Sequence, residues 1–321
     1  MAVNVFGGLL VSLGYVRLDV LVVGDANPDL VLRGDVRPRF GQAEQLLDAA
    51  DLVLGGSAAI TACGCARLGL RTGLLARVGD DVFGTFTRER LAEAGVELLP
   101  LPPLPDVPTG LSVILSAPDD RAILTVAGTI PTLRPEDVDD VVLSRASRVH
   151  VSSLFLQPAL AAGLADVFVR ARKLGVKTSL DTNWDPRGRW DSVAEILAVT
   201  DVFLPNAAEL RAVSGVDDLD EAAAGLVARG TTVVLKDGAR GARAWWPGGS
   251  ASAPGLAVDV VDTTGAGDSF NAGFLAAQAD AQPMATALAW AAVAGSLSTR
   301  AAGGTAAQAT LAELRLSLSD R

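Results

Sequence analysis

From Arg145 onward, short β-branched runs alternate with helical patterns, and this alternation constrains the fold more than any other feature of the chain. The strand-like run "RVHVSSLF" precedes a helix over about 158–174 and "VKTSLDTN" precedes one over about 191–199. "DVFLPN" precedes helices over about 206–214 and 219–229, and the run "TTVVLKDG" follows them. Strands separated by helices run parallel through right-handed crossovers, in a doubly wound sheet buried on both faces. The chain has 321 residues, 50% of them hydrophobic, enough to bury one large α/β core.

The first half reads differently. "VLVVGDANPDLVLRGDVRPRF" is strand-like with interruptions, and "VPTGLSVILSAPDDRAILTVAGTI" reads as two strands joined by the turn "APDD". Neither is followed closely by a helix, so both suit a small β-layer beside the main sheet. The expectation is a single domain over 1–321, with a β-sheet lid built by insertions at about 27–40 and 107–131. Residues 1–17 are expected to be an N-terminal extension: the opening is apolar but has neither a basic n-region nor an A-x-A cleavage site.

The net charge of −10 and the absence of any basic run argue against nucleic acid or an anionic membrane surface as a partner. No segment has the apolar length of a membrane span, so a cytoplasmic protein is expected. Cys63 and Cys65 alternate in a helical pattern, where an ordinary disulfide cannot close, and are read as small core residues. His150, the only histidine, is read as a packed strand residue, which removes a His-rich zinc site and leaves a Ser-His-Asp hydrolase little support. Asp80 and Asp81 are read as a turn and a helix cap.

"VVDTTGAGDSFNAGF" lies between a β-branched run and the first of two Ala-rich helices, about 268–280 and 284–299. A Gly-rich loop feeding a helix N-terminus offers unpaired N–H groups and positive dipole charge to an anion. The Walker spacing is absent, and Gly265-Ala-Gly267 lacks the third glycine of a dinucleotide fingerprint, because position 270 is Phe. Asp268 at the first turn has two readings, a helix cap or a general base that deprotonates a hydroxyl attacking a phosphoryl group. In the second reading the N–H groups of Gly265, Ala266 and Gly267 hold the developing charge.

The longer string "DTTGAGDSFNAGF" resembles the C-terminal motif of the ribokinase/PfkB family of carbohydrate kinases. "GGSAAITACGCARLGLRTGLLARVGDDVFG" (55–84) is similar to that family's N-terminal motif, "VVGDANPDLVL" to its first strand and substrate turn, "LPNAAEL" to its Asn-x-x-Glu element, and "VVLKDGARGARAW" to its nucleotide-binding strand. The resemblance runs in order from about 20 to 305 and implies a ribokinase-like α/β fold with a small β-sheet lid.

It also implies roles. Asp268 matches the catalytic base and Gly265, Ala266 and Gly267 the anion hole. Asn206 and Glu209 match the pair that organises Mg²⁺, largely through water, and the phosphates. Lys236, Gly238 and Gly241 fall in the segment lining ATP, the two glycines giving base and ribose room. Asp29 matches a sugar-hydroxyl ligand, and Gly55 and Gly56 would let the sugar lie against backbone. Asp262 and Thr264 match positions that often hold a monovalent cation, K⁺ being the candidate.

Two positions depart from the pattern. Ile60 stands where many members carry Asn, and Gly128-Thr129-Ile130 where Gly-Ala-Asn is common; the expected pocket is therefore less polar than that of a ribose-type kinase. "DTNWDPRGRW" is similar to the Asp-x-Asn-x-Arg…Trp stretch of ketosugar and keto-deoxy-sugar-acid kinases, but it is one residue longer and has Asp185 at the Arg position. The leading expectation is an ATP- and Mg²⁺-dependent kinase acting on a hydroxyl of a sugar or sugar derivative, as a homodimer formed through the lid. A nucleoside kinase of the same fold and a non-catalytic sugar- or nucleotide-binding regulator are the alternatives.

Overall fold

The computed structural model describes residues 17–117, 121–191 and 193–319. Residues 1–16, which hold nearly all of the expected extension, and residues 118–120 of the expected turn lie outside the described residues.

The described strands form two sheets. The large one has nine strands in the order β13-β12-β11-β10-β9-β8-β1-β4-β5. Its strands are β1 (Val20–Val23), β4 (Thr72–Leu75), β5 (Glu97–Leu98), β8 (Arg148–Val151), β9 (Lys177–Leu180), β10 (Val202–Phe203), β11 (Thr232–Lys236), β12 (Ala242–Trp246) and β13 (Gly249–Ala253). Every pair from β5 to β11 is parallel, and β12 and β13 add an antiparallel edge. The central strands are buried along almost their whole length, which is why they read as continuous apolar runs rather than as alternating ones. Helices cover both faces and two apolar cores form, one on each side.

Helices Ala207–Ser214, Leu219–Val227, Ala266–Ala279 and Met284–Ser298 fall where the sequence pattern puts them. The helix expected over about 158–174 is instead two, Pro158–Ala161 and Leu164–Lys173. The break falls at Gly163, where a Cβ would press on the ring of Pro135, so the packing requires glycine at a point the helix cannot cross smoothly. The helix expected over about 191–199 shortens to Val193–Leu197.

The small sheet has the order β3-β2-β6-β7, with β2 (Asn27–Arg33), β3 (Ala49–Gly55), β6 (Leu111–Ser116) and β7 (Arg121–Val126). It uses the two expected segments and adds β3, from the run just before Gly55. Sequence reading missed β3 because "AADLVLG" is short and its first four residues are exposed, which blurs the alternation. His150 is fully buried in β8 between the hydroxyls of Ser179 and Ser152. Both cysteines are free and buried, and Asp81 caps helix Val82–Glu93.

Candidate active site

The carboxyl ends of β1, β9, β10 and β11 and the starts of helices Ser57–Arg67, Ala207–Ser214 and Ala266–Ala279 meet at one cleft. Gly265 has φ 72°, the left-handed conformation that glycine adopts without strain, and it is the N-cap of helix Ala266–Ala279. In the turn, the Ala266 amide donates to the Thr263 carbonyl at 3.2 Å. Among the described residues the amides of Gly265, Gly267 and Asp268 have no backbone acceptor, so they are the donors this helix start offers to an anion. Asp268, buried, stands beside them, and its carboxylate accepts a hydrogen bond from the Ser57 hydroxyl.

Burial, then the nearby Asp181 charge, pushes the Asp268 carboxyl up to about 7. Asp29 on β2 is likewise pushed up to about 7, by burial and by the charge of Asp25. Asp25 acts on both carboxyls, so the three acids share one cleft. Asn27 donates to Asp29 at 2.9 Å. A Cβ on Gly55 would overlap the Asp29 carboxyl, so glycine there makes room for Asp29 itself. Gly56, at φ 86°, lies against the Asp25 backbone and starts helix Ser57–Arg67.

Opposite this acidic end, Asn206 and Glu209 form a reciprocal capping box on helix Ala207–Ser214. The Glu209 carboxylate accepts from the Asn206 amide at 2.8 Å and is buried, which raises its pKa despite the attraction of Lys236. Lys236, at the end of β11, donates to Asp181 at 2.5 Å. Burial opposes the charge of each partner, but the pair holds Asp181 below its usual range and Lys236 above its own. No group of three or more His, Cys, Asp or Glu residues able to hold a metal occurs among the described residues. Buried Glu209, a single carboxylate near Lys236, fits a Mg²⁺ that keeps its waters and shares that carboxylate with bound phosphates.

A largely apolar cleft of about 520 Å³ opens between Lys236, Gly238, Leu256, Val258, Gly267 and Thr299. Gly238 borders open space. Gly241 lines the same cleft, but a Cβ there would strike the Ala253 carbonyl and Gly255, so the hairpin already requires glycine at that position. The Asp262 carboxylate accepts from Thr264 N at 2.9 Å, Thr264 Oγ1 at 2.8 Å and Gly303 N at 2.9 Å, and Arg121 of β7 stands 3.9 Å away. With those donors and that guanidinium in place, Asp262 is a poor fit for a monovalent cation.

Ile60 and Ile130 do not make the cleft apolar. Ile60 is buried against Gly265 and Gly304, and Ile130 against Gly110. The polar groups of this end are Asn27, Asp29, Ser112 and Asn183, and sequence reading singled out only Asp29. Asn27 stands two residues before Asp29, so the alternation of β2 could have drawn attention to it. Asp181 and Asn183 were within the quoted "DTNWDPRGRW", but their partners are distant in sequence.

Residues 17–311 match the pfkB family of carbohydrate kinases. The chain belongs to that family. It is 34% identical over 258 residues to an ATP-dependent ribose-1-phosphate kinase of Halopiger xanaduensis, covering 80% of this chain and 83% of the relative. It is 31% identical to a fructokinase of Klebsiella pneumoniae, covering 93% and 99%. Among solved structures, Arabidopsis thaliana ribokinase complexed with ribose and ATP superposes with a TM-score of 0.83 at 26% identity, covering 94% of this chain and 99% of that one. A neighbour from E. coli in complex with ATP and Mg²⁺ gives 0.85 at 23% identity, covering 95% and 100%. This pfkB-family chain is thus a carbohydrate kinase with the ribokinase-like fold. No helix among its described residues is long and apolar enough to cross a membrane.

Among the carboxyls that burial raises, Asp29 and Asp268, both pushed up to about 7, set a pH dependence. Asp29 and Asp268 both bind a proton more tightly folded than unfolded, so between about pH 4 and about pH 7 the native state holds more protons and stability falls as pH rises. Asp268→Asn removes one of these costs. It should flatten that slope and stabilise the ligand-free protein at about pH 8 by about 1–4 kcal/mol, measured by urea unfolding at about pH 5 and about pH 8. A variant no more stable than wild type at the higher pH would show that Asp268 ionises in the fold at no cost.

Proposed function

We propose that this kinase transfers the γ-phosphoryl group of ATP to a hydroxyl of a sugar or sugar derivative, with Asp268 as general base. The observation that carries the reading is the juxtaposition of Asp268 with the unpaired amides of Gly265 and Gly267 at one helix start. A carboxylate beside an anion cradle repels phosphate unless it takes a proton in the reaction. Its pKa near 7 suits a base working at neutral pH.

The acceptor lies between Asp29, Asn27 and Asp268. Asp29 accepts the bonds of sugar hydroxyls, and Asp268 takes the proton of the attacking one as the amides of the cradle hold the charge that develops on the phosphoryl oxygens. ATP lies in the apolar cleft beside Gly238 and Leu256, its phosphates directed to Gly267 and Lys236. Glu209, with Asn206, would hold a Mg²⁺ ion through water, and the ion would offset phosphate charge. The named relatives favour a pentose, a ketohexose or one of their phosphates as acceptor. A nucleoside is the second reading, supported by exposed Trp184, which follows Asn183 and packs edge-on to Trp190 with ring centroids 5.3 Å apart.

We propose further that the small sheet is a lid of the single kinase domain, closing over the acceptor to exclude water, and that two copies pair through it. Ile123, Leu124 and Val126 of β7 are 53–60% exposed on an edge strand, an apolar surface that a second copy would cover.

Three measurements check these proposals. A coupled ADP-release screen over pentoses, ketohexoses, their phosphates, sugar acids and nucleosides should find the acceptor, and Asp268→Asn should then lower kcat by at least about 10² while leaving ATP binding intact. Near-wild-type turnover would remove Asp268 from the base role. Glu209→Gln should raise the Mg²⁺ concentration needed for half-maximal rate, whereas an unchanged requirement would place Glu209 outside the metal's surroundings. Light scattering should give a dimer that Leu124→Lys splits; a wild-type monomer refutes the pairing.

A further inference from the structure

Ser57 and Asn183 have no part in the reading above, yet they are bonded in series to the catalytic carboxylate. Asn183 has φ 52°, a left-handed conformation uncommon for a residue with a side chain and a sign of a constrained position. Its backbone N–H donates to Asp181 Oδ1 at 3.1 Å, and its Oδ1 accepts from the Ser153 amide at 2.8 Å. That second bond fixes which way the side-chain amide faces, because only a carbonyl oxygen can accept from a backbone N–H. Nδ2 must therefore point the other way, and it donates to Ser57 Oγ at 3.1 Å.

A hydroxyl has one proton. With Asn183 donating to its oxygen, the Ser57 O–H is directed at Asp268 Oδ1, to which it is bonded. Every donor and acceptor in the series, from Ser153 through Asn183 and Ser57 to Asp268, then has one assignment. Asp268 Oδ2 has no hydrogen-bond partner among the described residues and is the oxygen left for an incoming hydroxyl. Ser57 itself is set by the first turn of its helix. Gly56, at φ 86°, begins that helix without a side-chain cap, and Thr61, one turn on, donates to the Asp268 carbonyl at 3.4 Å.

We infer that Ser57 and Asn183 are positioning residues that hold Oδ1 of Asp268 and thereby present Oδ2 to the acceptor hydroxyl. The inference rests on the reading of Asp268 as the base, but the contact can be tested without turnover. The charged groups that face Asp268 are Asp181 at the end of β9, Lys236 at the end of β11 and Asp25 after β1; all three remain when Ser57 is changed. Burial and the charges of Asp181 and Asp25 raise the Asp268 pKa, while the Ser57 bond and Lys236 lower it.

The test is a carboxyl ¹³C NMR titration of the ligand-free full chain, with the Asp268 signal assigned by its loss in Asp268→Asn. Ser57→Ala should move the Asp268 midpoint up by about one pH unit, the size expected for losing a hydrogen bond to a charged group. Ser57→Thr, which keeps the hydroxyl, should stay near wild type. Once an acceptor is known, the acidic limb of kcat should move by the same amount in Ser57→Ala. A midpoint that does not move in Ser57→Ala, or that moves equally in Ser57→Thr, overturns the inference. Should Asp268→Asn retain full turnover while Ser57→Ala still shifts the titration, the base assignment fails and the contact stands.

Discussion

The close approach of helices Ser57–Arg67 and Ala266–Ala279 is the contact on which the site depends. Small residues permit it: a Cβ on Gly64 would lie 2.7 Å from the Cβ of Ala272, and one on Gly273 would lie 2.8 Å from that of Ala294 on the next helix. Larger side chains at these positions would force the helices apart, since a packed core accommodates added volume poorly. Because they pack so tightly, Ser57 at the start of one helix reaches Asp268 at the start of the other. The Ala-rich composition of helices Ala266–Ala279 and Met284–Ser298 is thus a geometric requirement of the site as much as a helix-forming one.

The second constraint is electrostatic. Asp25, Asp29, Asp181 and Asp268 are all buried around one cleft, with Lys236, partly buried, as the cation among them. Such an arrangement costs stability, because burial penalises every ionised carboxylate and like charges add to the penalty. The structure limits the cost unevenly. Asp181 is paired with Lys236 and accepts from Asn271 at 2.7 Å, so it stays ionised. Asp29 and Asp268 have no such cationic partner and are left with pKa values raised to about 7.

The small sheet joins this cleft through both of its middle strands. β2 brings Asn27 and Asp29, and β6, parallel to it, brings Ser112 to within hydrogen-bond reach of Asn27. From β7, Arg121 donates to Thr264 at 2.6 Å, so the outer strand touches the loop that leads into helix Ala266–Ala279. A movement of this sheet would therefore be felt at both ends of the cleft.

The sequence by itself determined the parallel sheet, the Gly-rich helix start with Asp268 in its first turn, and the order of the elements. Each of these is written within one short segment, where periodicity, capping and turn chemistry act between near neighbours. Tertiary structure decided what spans the chain. Ser57 and Asp268 are 211 residues apart, Asn183 and Ser57 126, and Lys236 and Asp181 55. No local pattern marks those pairings. The roles of Ile60, Ile130, Gly55 and Gly241 were equally out of reach, because what a side chain or a missing Cβ faces depends on which distant segment packs against it. Long-range packing, which the sequence specifies only through the whole fold, brought the legible motif together with its distant partners Ser57, Asn183 and Asp181.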